Sequence, residues 1–246
     1  MAHLDWLVER PVAHRGLHGN GLIENTLGAA RAATEAGYAI EVDIQSTVDN
    51  EVVVFHDDTL DRLTDATGPL AARTLAELKQ IAIRNSNERI PTLQELLDTV
   101  GGRTPLVVEL KSSWDGDDRL AARTAEILRN YNGPVAGMSF DPSVVMALRR
   151  HAPDLTRGIV AERYYDDPEW APLGAARKFQ FGNLLHIHRT RPHFVAYSVR
   201  DLPALAPQAA RYILGMKLLT WTVRTDADRA KARRWADQMI FEGFRA

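Results

Sequence analysis

Ala39-Ile40-Glu41-Val42-Asp43-Ile44 and Val52-Val53-Val54-Phe55-His56, separated only by residues 45–51, decide the fold. Both are β-branched apolar runs of strand length. A crossover between parallel strands takes a dozen or more residues, and the gap holds too few. Val48-Asp49-Asn50-Glu51 reads as a tight turn, so Val52–His56 is expected to return antiparallel along Ala39–Ile44.

Working outward, seven more runs have the same character: Pro11–His14, Leu106–Leu110, Val135–Phe140, Arg157–Val160, Phe194–Val199, Leu218–Val223 and Gln238–Phe241. Helical patterns separate most of them. Asn25 or Thr26 is placed to cap a helix to Ala36, which Gly37 ends. Thr92 and Glu95 have capping-box spacing. Leu120, Thr124, Ile127, Leu128 and Tyr131 share one helical face before Gly133, Asp141-Pro142 starts another helix, and Asp226 opens one through Trp235.

Strands alternating with helices mean parallel pairing through crossovers. Setting aside the hairpin strand leaves eight parallel strands, the number of a closed (β/α)8 TIM barrel. The expected architecture is a single barrel domain over residues 1–246, with an extra β-hairpin after strand 2. A doubly wound open sheet is the alternative, but no Gly-x-Gly-x-x-Gly follows a first strand. Residues 57–89 are polar and turn-rich, with a short helical piece around Leu75–Ile83, and read as a small insertion over the barrel mouth.

Bulk composition narrows the chemistry. The chain has 246 residues, is 45% hydrophobic and 25% charged, and carries a formal net charge of −2. That balance gives no general attraction to nucleic acid or to a membrane surface. It has no cysteine, which excludes disulfides, thiolate metal sites and cysteine nucleophiles. Any bound metal must use oxygen or imidazole donors. Met1–Arg10 lacks a basic start and apolar run, and no stretch of about 18 uncharged apolar residues occurs, so a cytoplasmic protein without membrane insertion is expected. A small-molecule substrate is the expected partner, and oligomeric state is not legible.

In such a barrel the active site lies at the C-terminal ends of the strands. Glu41 and Asp43, two apart, point to one face of their strand, while Ile40, Val42 and Ile44 point to the other. Glu109 and Lys111 repeat that spacing. Carboxylates facing a barrel interior need a neutralising partner. All-oxygen donors favour a hard divalent cation, Mg²⁺ or Ca²⁺, and a structural ion cluster with Arg15 and Lys111 is the competing reading. His14 and His56 flank this group and suit general acid–base work near neutral pH. Arg15 offers a planar fork to phosphate oxygens and Lys111 a point charge. Asn25 either caps its helix or leans toward the phosphate, and Trp221 either lines the pocket or belongs to the core.

His14-Arg15-Gly16, Glu24-Asn25-Thr26, Glu41-Val42-Asp43 and Val54-Phe55-His56-Asp57-Asp58 resemble the glycerophosphodiester phosphodiesterase family. Thr74-Leu75-Ala76-Glu77-Leu78, Ile90-Pro91-Thr92-Leu93, Glu109-Leu110-Lys111 and Trp221-Thr222-Val223 are similar to its later blocks. The match is dense over residues 11–111 and sparse beyond. The resemblance implies a (β/α)8 barrel with a small insertion, one divalent cation on Glu41, Asp43 and Glu109, His14 and His56 as the acid–base pair, and Arg15 and Lys111 on the phosphate. The implied reaction is hydrolysis of glycerophosphodiesters to sn-glycerol 3-phosphate and an alcohol.

The chain departs from the family pattern at Ile23, where proline is usual, at Arg224, where asparagine is frequent, and at Glu242, near a frequent aspartate. These departures are expected to bear on substrate choice and to lie away from the acid–base and metal residues. Two alternatives stand beside the main reading: a related barrel acting on lysophospholipids or choline phosphodiesters, which would want an apolar rim near the insertion, and a catalytically silent binding barrel. His186, His188 and His193, with Arg189 and Arg191, read as a solvated helix end. Tyr164–Trp170 reads as a loop at the barrel mouth, placed to shape specificity.

Overall fold

The computed structural model describes residues 4–166, 170–171 and 173–246. Its strands are β1 (Val12–Ala13), β2 (Ala39–Ser46), β3 (Val52–Val54), β4 (Leu106–Leu110), β5 (Val135–Ser139), β6 (Thr156–Ala161), β7 (Phe194–Ser198), β8 (Lys217–Val223) and β9 (Gln238–Phe241). The sheet order is β1-β9-β8-β7-β6-β5-β4-β2-β3, and β1 also pairs with β2. Every pair in the ring is parallel, so eight strands close into a barrel with helices between them. The ninth, β3, lies outside the ring and runs antiparallel to β2, with Ile44 opposite Val54 and Ser46 opposite Val52. The short gap at residues 45–51 therefore has the predicted consequence.

Residue parity divides the core. Val12, Ala39, Val107, Met138, Phe194 and Leu219 fill the barrel interior, and the helix Asp5–Val8 adds Leu7 to that cluster. Ile40, Val42 and Ile44 pack outward with Leu93, Leu96 and Leu97 from the helix Leu93–Val100. The capping box on that helix is present, with the Thr92 hydroxyl accepting from the Glu95 amide and the Glu95 carboxylate accepting from the Thr92 amide. Asp141 caps the helix Pro142–His151, and Thr225 caps Asp226–Trp235. The helix Arg119–Leu128 stops short of Tyr131, whose hydroxyl instead accepts from the Gly102 amide.

The insertion has its own small core of Phe55, Leu60, Leu70, Leu78, Ile83 and Ile90. Its helix covers only Leu75–Leu78 rather than reaching Ile83. The Ile83 amide donates to the Glu88 carbonyl, and Ile83 bridges Thr64, which takes that backbone out of any helix. Among the described residues, no helix is long and apolar enough to cross a membrane.

Candidate active site

The alternation that buries Ala39 and Val107 inside the barrel also turns Glu41, Asp43 and Glu109 inward at the C-terminal end of β2 and β4. Asp43 stands directly opposite Glu109 in the register. All three are buried, and each offers an oxygen within 4.8 Å of the others. Their surroundings are unequal. Asp43 has Lys111 Nζ at 3.2 Å and Arg15 Nε at 3.3 Å, and Asn25 Nδ2 donates to its Oδ2 at 2.9 Å. Lys111 Nζ also lies 3.1 Å from Glu109 Oε1. Among the described residues, the Glu41 carboxylate takes its one hydrogen bond from the Arg15 backbone amide, at 3.0 Å.

Electrostatics follow this inequality. Burial, then the neighbouring Asp43 and Glu109 carboxylates, push the Glu41 carboxyl well above the usual carboxylate range. Asp43 moves the other way: burial opposes ionisation, but Lys111 first, then His56, Arg15 and His14, hold it well below that range. The structural ion cluster is thus real for Asp43 and Glu109 and leaves Glu41 without a side-chain cation bonded to it. Three converging oxygen donors with that residual demand for positive charge fit a hard divalent cation.

His14 follows β1 directly, and its amide donates to the Phe241 carbonyl across the barrel seam. Its Nδ1 lies 2.5 Å from Glu242 Oε2 and its Nε2 lies 3.9 Å from Glu41 Oε2. Burial lowers the His14 pKa below its ordinary value against the pull of the Glu242 hydrogen bond. The chain then turns through Arg15 and Gly16, both at positive φ. Gly16 is needed there, because a Cβ would meet Ala29 Cβ at 2.8 Å. This turn aims the Arg15 amide at Glu41.

His56 follows β3. Its Nδ1 lies 2.8 Å from Asp57 Oδ1. Arg62, from the insertion, forks onto Asp57 at 2.6 and 2.8 Å and onto Glu24 at 2.7 and 3.1 Å. Arg15 Nη1 donates to Glu24 at 2.8 Å. One continuous chain of charged hydrogen bonds therefore runs from His56 through Asp57, Arg62 and Glu24 to Arg15.

A cavity of about 280 Å³ is lined by His14, Arg15, Glu41, Asp43, His56, Glu109, Lys111 and Trp221. Trp221 packs edge-on to Phe140, another lining residue, with ring centroids 5.3 Å apart. A second cavity, of about 560 Å³, shares His56, Glu109 and Lys111 and adds Gln45, Asp58, Ser112 and Trp114. Asn25 is the exception among the predicted residues. It neither lines the first cavity nor caps the helix Leu27–Glu35, a role Thr26 fills. At positive φ, it donates to Asp43 and accepts from the Asp43 amide at 3.2 Å, so it holds a carboxylate in place from behind.

Two further corrections come from the geometry. Glu242 and Arg224 do not lie away from the acid–base residues: Glu242 bonds His14, and Arg224 Nε donates to Glu242 Oε1 at 2.5 Å. The histidine-rich stretch is only partly solvated. His188 is exposed, but His186 is buried against Phe181 with its pKa lowered to about 4, by burial first and then by His188. The His193 ring accepts from the Arg157 amide at 3.0 Å. In the mouth loop, Tyr165 and Trp170 pack with Phe140 and Phe181, while Asp167, Pro168 and Glu169 lie outside the described residues. Arg62 carried a weak signal at best, a lone basic residue in a polar insertion. Glu242 carried none of spacing, since 228 positions separate it from His14.

Comparisons with known proteins bear on the family and the fold. The model of the glycerophosphoryl diester phosphodiesterase family matches residues 14–244. A glycerophosphodiester phosphodiesterase from Caldanaerobacter subterraneus subsp. tengcongensis is 33% identical over 227 residues, 88% of this chain and 86% of that protein. Among solved structures, an Oleispira antarctica phosphodiesterase in complex with the product sn-glycerol-3-phosphate superposes with a TM-score of 0.80 at 23% identity, covering 96% of this chain and 94% of that one. The Thermotoga maritima glycerophosphodiester phosphodiesterase gives a TM-score of 0.72 at 24% identity, with 94% of each chain covered. At these identities the two structures speak to the barrel, while the family model and the relative speak to descent, and on those grounds the chain belongs to the glycerophosphoryl diester phosphodiesterase family.

Proposed function

We propose that this member of the family hydrolyses glycerophosphodiesters to sn-glycerol 3-phosphate and an alcohol, with His14 and His56 as its acid–base pair. One observation carries the reading: two imidazoles, each backed by a carboxylate on Nδ1, line the same cavity as three convergent carboxylates, Arg15 and Lys111. A carboxylate on Nδ1 fixes the tautomer and leaves Nε2 for proton transfer. His14, kept mostly neutral at pH 7 by its lowered pKa, takes the proton from the attacking oxygen. His56 protonates the leaving alkoxide. Arg15 and Lys111 place fixed positive charge where the phosphoryl oxygens gain negative charge.

Glu41, Asp43 and Glu109 would hold one hard divalent cation, Mg²⁺ or Ca²⁺. When bound, it supplies Lewis-acid stabilisation of the phosphate and orients it. The attacking oxygen is water or a hydroxyl of the substrate's own glycerol, and detection of a cyclic phosphate by ³¹P NMR would select the second. The complete set of polar residues argues against a silent binding barrel. A lipid substrate finds little support in the insertion, because Leu60 and Leu70 are buried in its own core and Leu63 packs against that core.

The decisive assay incubates the protein with glycerophosphodiesters and with lysophospholipids, in Mg²⁺ or Ca²⁺, and measures glycerol 3-phosphate from the first and lysophosphatidic acid from the second. Release from the first class alone supports the proposal, and none from either class overturns it. Chelation and Glu41→Gln are each expected to abolish most turnover. Full activity in both would remove the cation from the reading.

A further inference from the structure

Beside the all-oxygen group lies a second cluster of different chemistry. His14 and His18 come from the turn after β1, and Glu242 follows β9, so closing the barrel between β1 and β9 brings them together. Each offers one donor atom within 4.8 Å of the other two. Glu242 Oε2 is the common point, 2.5 Å from His14 Nδ1 and 3.6 Å from His18 Nε2. His18 Nε2 is itself buried and has no hydrogen-bond partner among the described residues. Arg224 occupies the other oxygen, Oε1, and so orients the carboxylate without covering Oε2.

Two imidazole nitrogens and a carboxylate oxygen are the donor set of a borderline cation, whereas Glu41, Asp43 and Glu109 are that of a hard one. Four-coordinate zinc with bonds of about 2.0–2.2 Å spaces its donors roughly 3.4 Å apart. The Glu242 Oε2 separations of 2.5 Å to His14 Nδ1 and 3.6 Å to His18 Nε2 bracket that spacing. We propose that His14, His18 and Glu242 form a zinc-class site, separate from the hard-cation site, whose occupation switches the enzyme off.

The switching half rests on the role given to His14 above. In the working tautomer Nδ1 carries the proton toward Glu242 and Nε2 keeps its lone pair. An ion on Nδ1 displaces that proton, which is relocated through solvent to Nε2, so the ring ligated at Nδ1 stays neutral with its single proton on Nε2. The nitrogen facing Glu41 is then a donor and no longer accepts a proton. Binding is also competitive with acid, since an imidazole protonated on both nitrogens cannot ligate.

The test titrates Zn²⁺ into the full-length protein held in excess Mg²⁺, following heat by calorimetry and turnover in parallel. Wild type is expected to take up one ion and to lose turnover in step with occupancy. His18→Ala, and His18→Asn as a smaller perturbation, are expected to keep basal turnover in Mg²⁺, to bind Zn²⁺ at least about tenfold more weakly, and to escape inhibition. His188→Ala removes an exposed histidine and is expected to behave as wild type. Equal Zn²⁺ affinity in wild type and both His18 variants would overturn the site. Binding lost with His18 but with wild-type turnover untouched by Zn²⁺ would overturn the switch. A wild type without turnover in any metal would count against the hydrolase reading alone, because the calorimetry still reports the site.

Discussion

The two histidines line one cavity and sit in parallel arrangements. His14 is backed by Glu242, and Glu242 is clamped by Arg224. His56 is backed by Asp57, and Asp57 is clamped by Arg62. Each arm is an imidazole, a carboxylate and a guanidinium in series. The arms differ in what stands behind them. Arg224 bonds one carboxylate oxygen and is 57% exposed, so the His14 arm ends in solvent. Arg62 grips two carboxylates through four bonds and passes the connection to Glu24 and Arg15. In the proposed mechanism one arm positions the base alone, and the other ties the acid, Arg15 and the insertion into one unit, so geometry on that side is shared.

Replacing the histidines themselves breaks the comparison most severely. His14→Ala and His56→Ala are each expected to lower kcat by about 10²–10⁴-fold, the range for a positioned general acid or base. Near wild-type turnover in either variant would withdraw that ring's role. The next largest effect tests the carboxylates. Glu242→Gln and Asp57→Asn keep shape and remove charge, so each is expected to cost on the order of 10–100-fold, the scale for carboxylates that hold functional imidazoles. Glu242→Gln also has a signature in pH. The glutamate charge raises the His14 pKa while burial lowers it below 6.5. The proposed mechanism needs neutral His14, so activity is expected to fall as pH drops through that pKa. Removing the charge lowers the pKa further, and the acid limb of kcat/KM is expected to move to lower pH. A limb that moves upward would contradict Glu242 as the group facing Nδ1.

The same comparison shows what a sequence makes visible. Asp57 adjoins His56, and Glu41 and Asp43 share a strand face by period-two geometry, so local spacing exposes them. The hairpin was visible for a similar reason: too few residues separate Ile44 from Val52 to allow anything else. Glu242 meets His14 only because β9 closes on β1, a contact between chain ends that no periodicity encodes. Asn25 was legible as a polar residue at a helix start but not as a brace for Asp43, because its neighbour Thr26 supplies the cap and frees it. Arg62 reaches two carboxylates across a loop whose path is set by the insertion's own core, and that core is a tertiary property.

The arginines give the smallest effects and the sharpest contrast. An exposed ion pair contributes about 0.2–1 kcal/mol, so Arg224→Ala is expected to change kcat/KM by no more than about 1.4–5-fold. Arg62 is 47% exposed, and each of its contacts taken singly is subject to the same screening. Its effect should exceed that of Arg224 only if the bonds act as a unit. Arg62→Ala then loosens Arg15 as well as His56, and KM rises together with a fall in kcat, whereas Arg224→Ala touches kcat alone. Arg62→Lys decides the matter. Lysine keeps the charge but cannot fork onto two carboxylates. If it restores both parameters, the arm works by charge and the two arms are equivalent. If it restores neither, the planar fork is what couples Asp57 to Glu24, and the insertion is part of the catalytic frame on the His56 side.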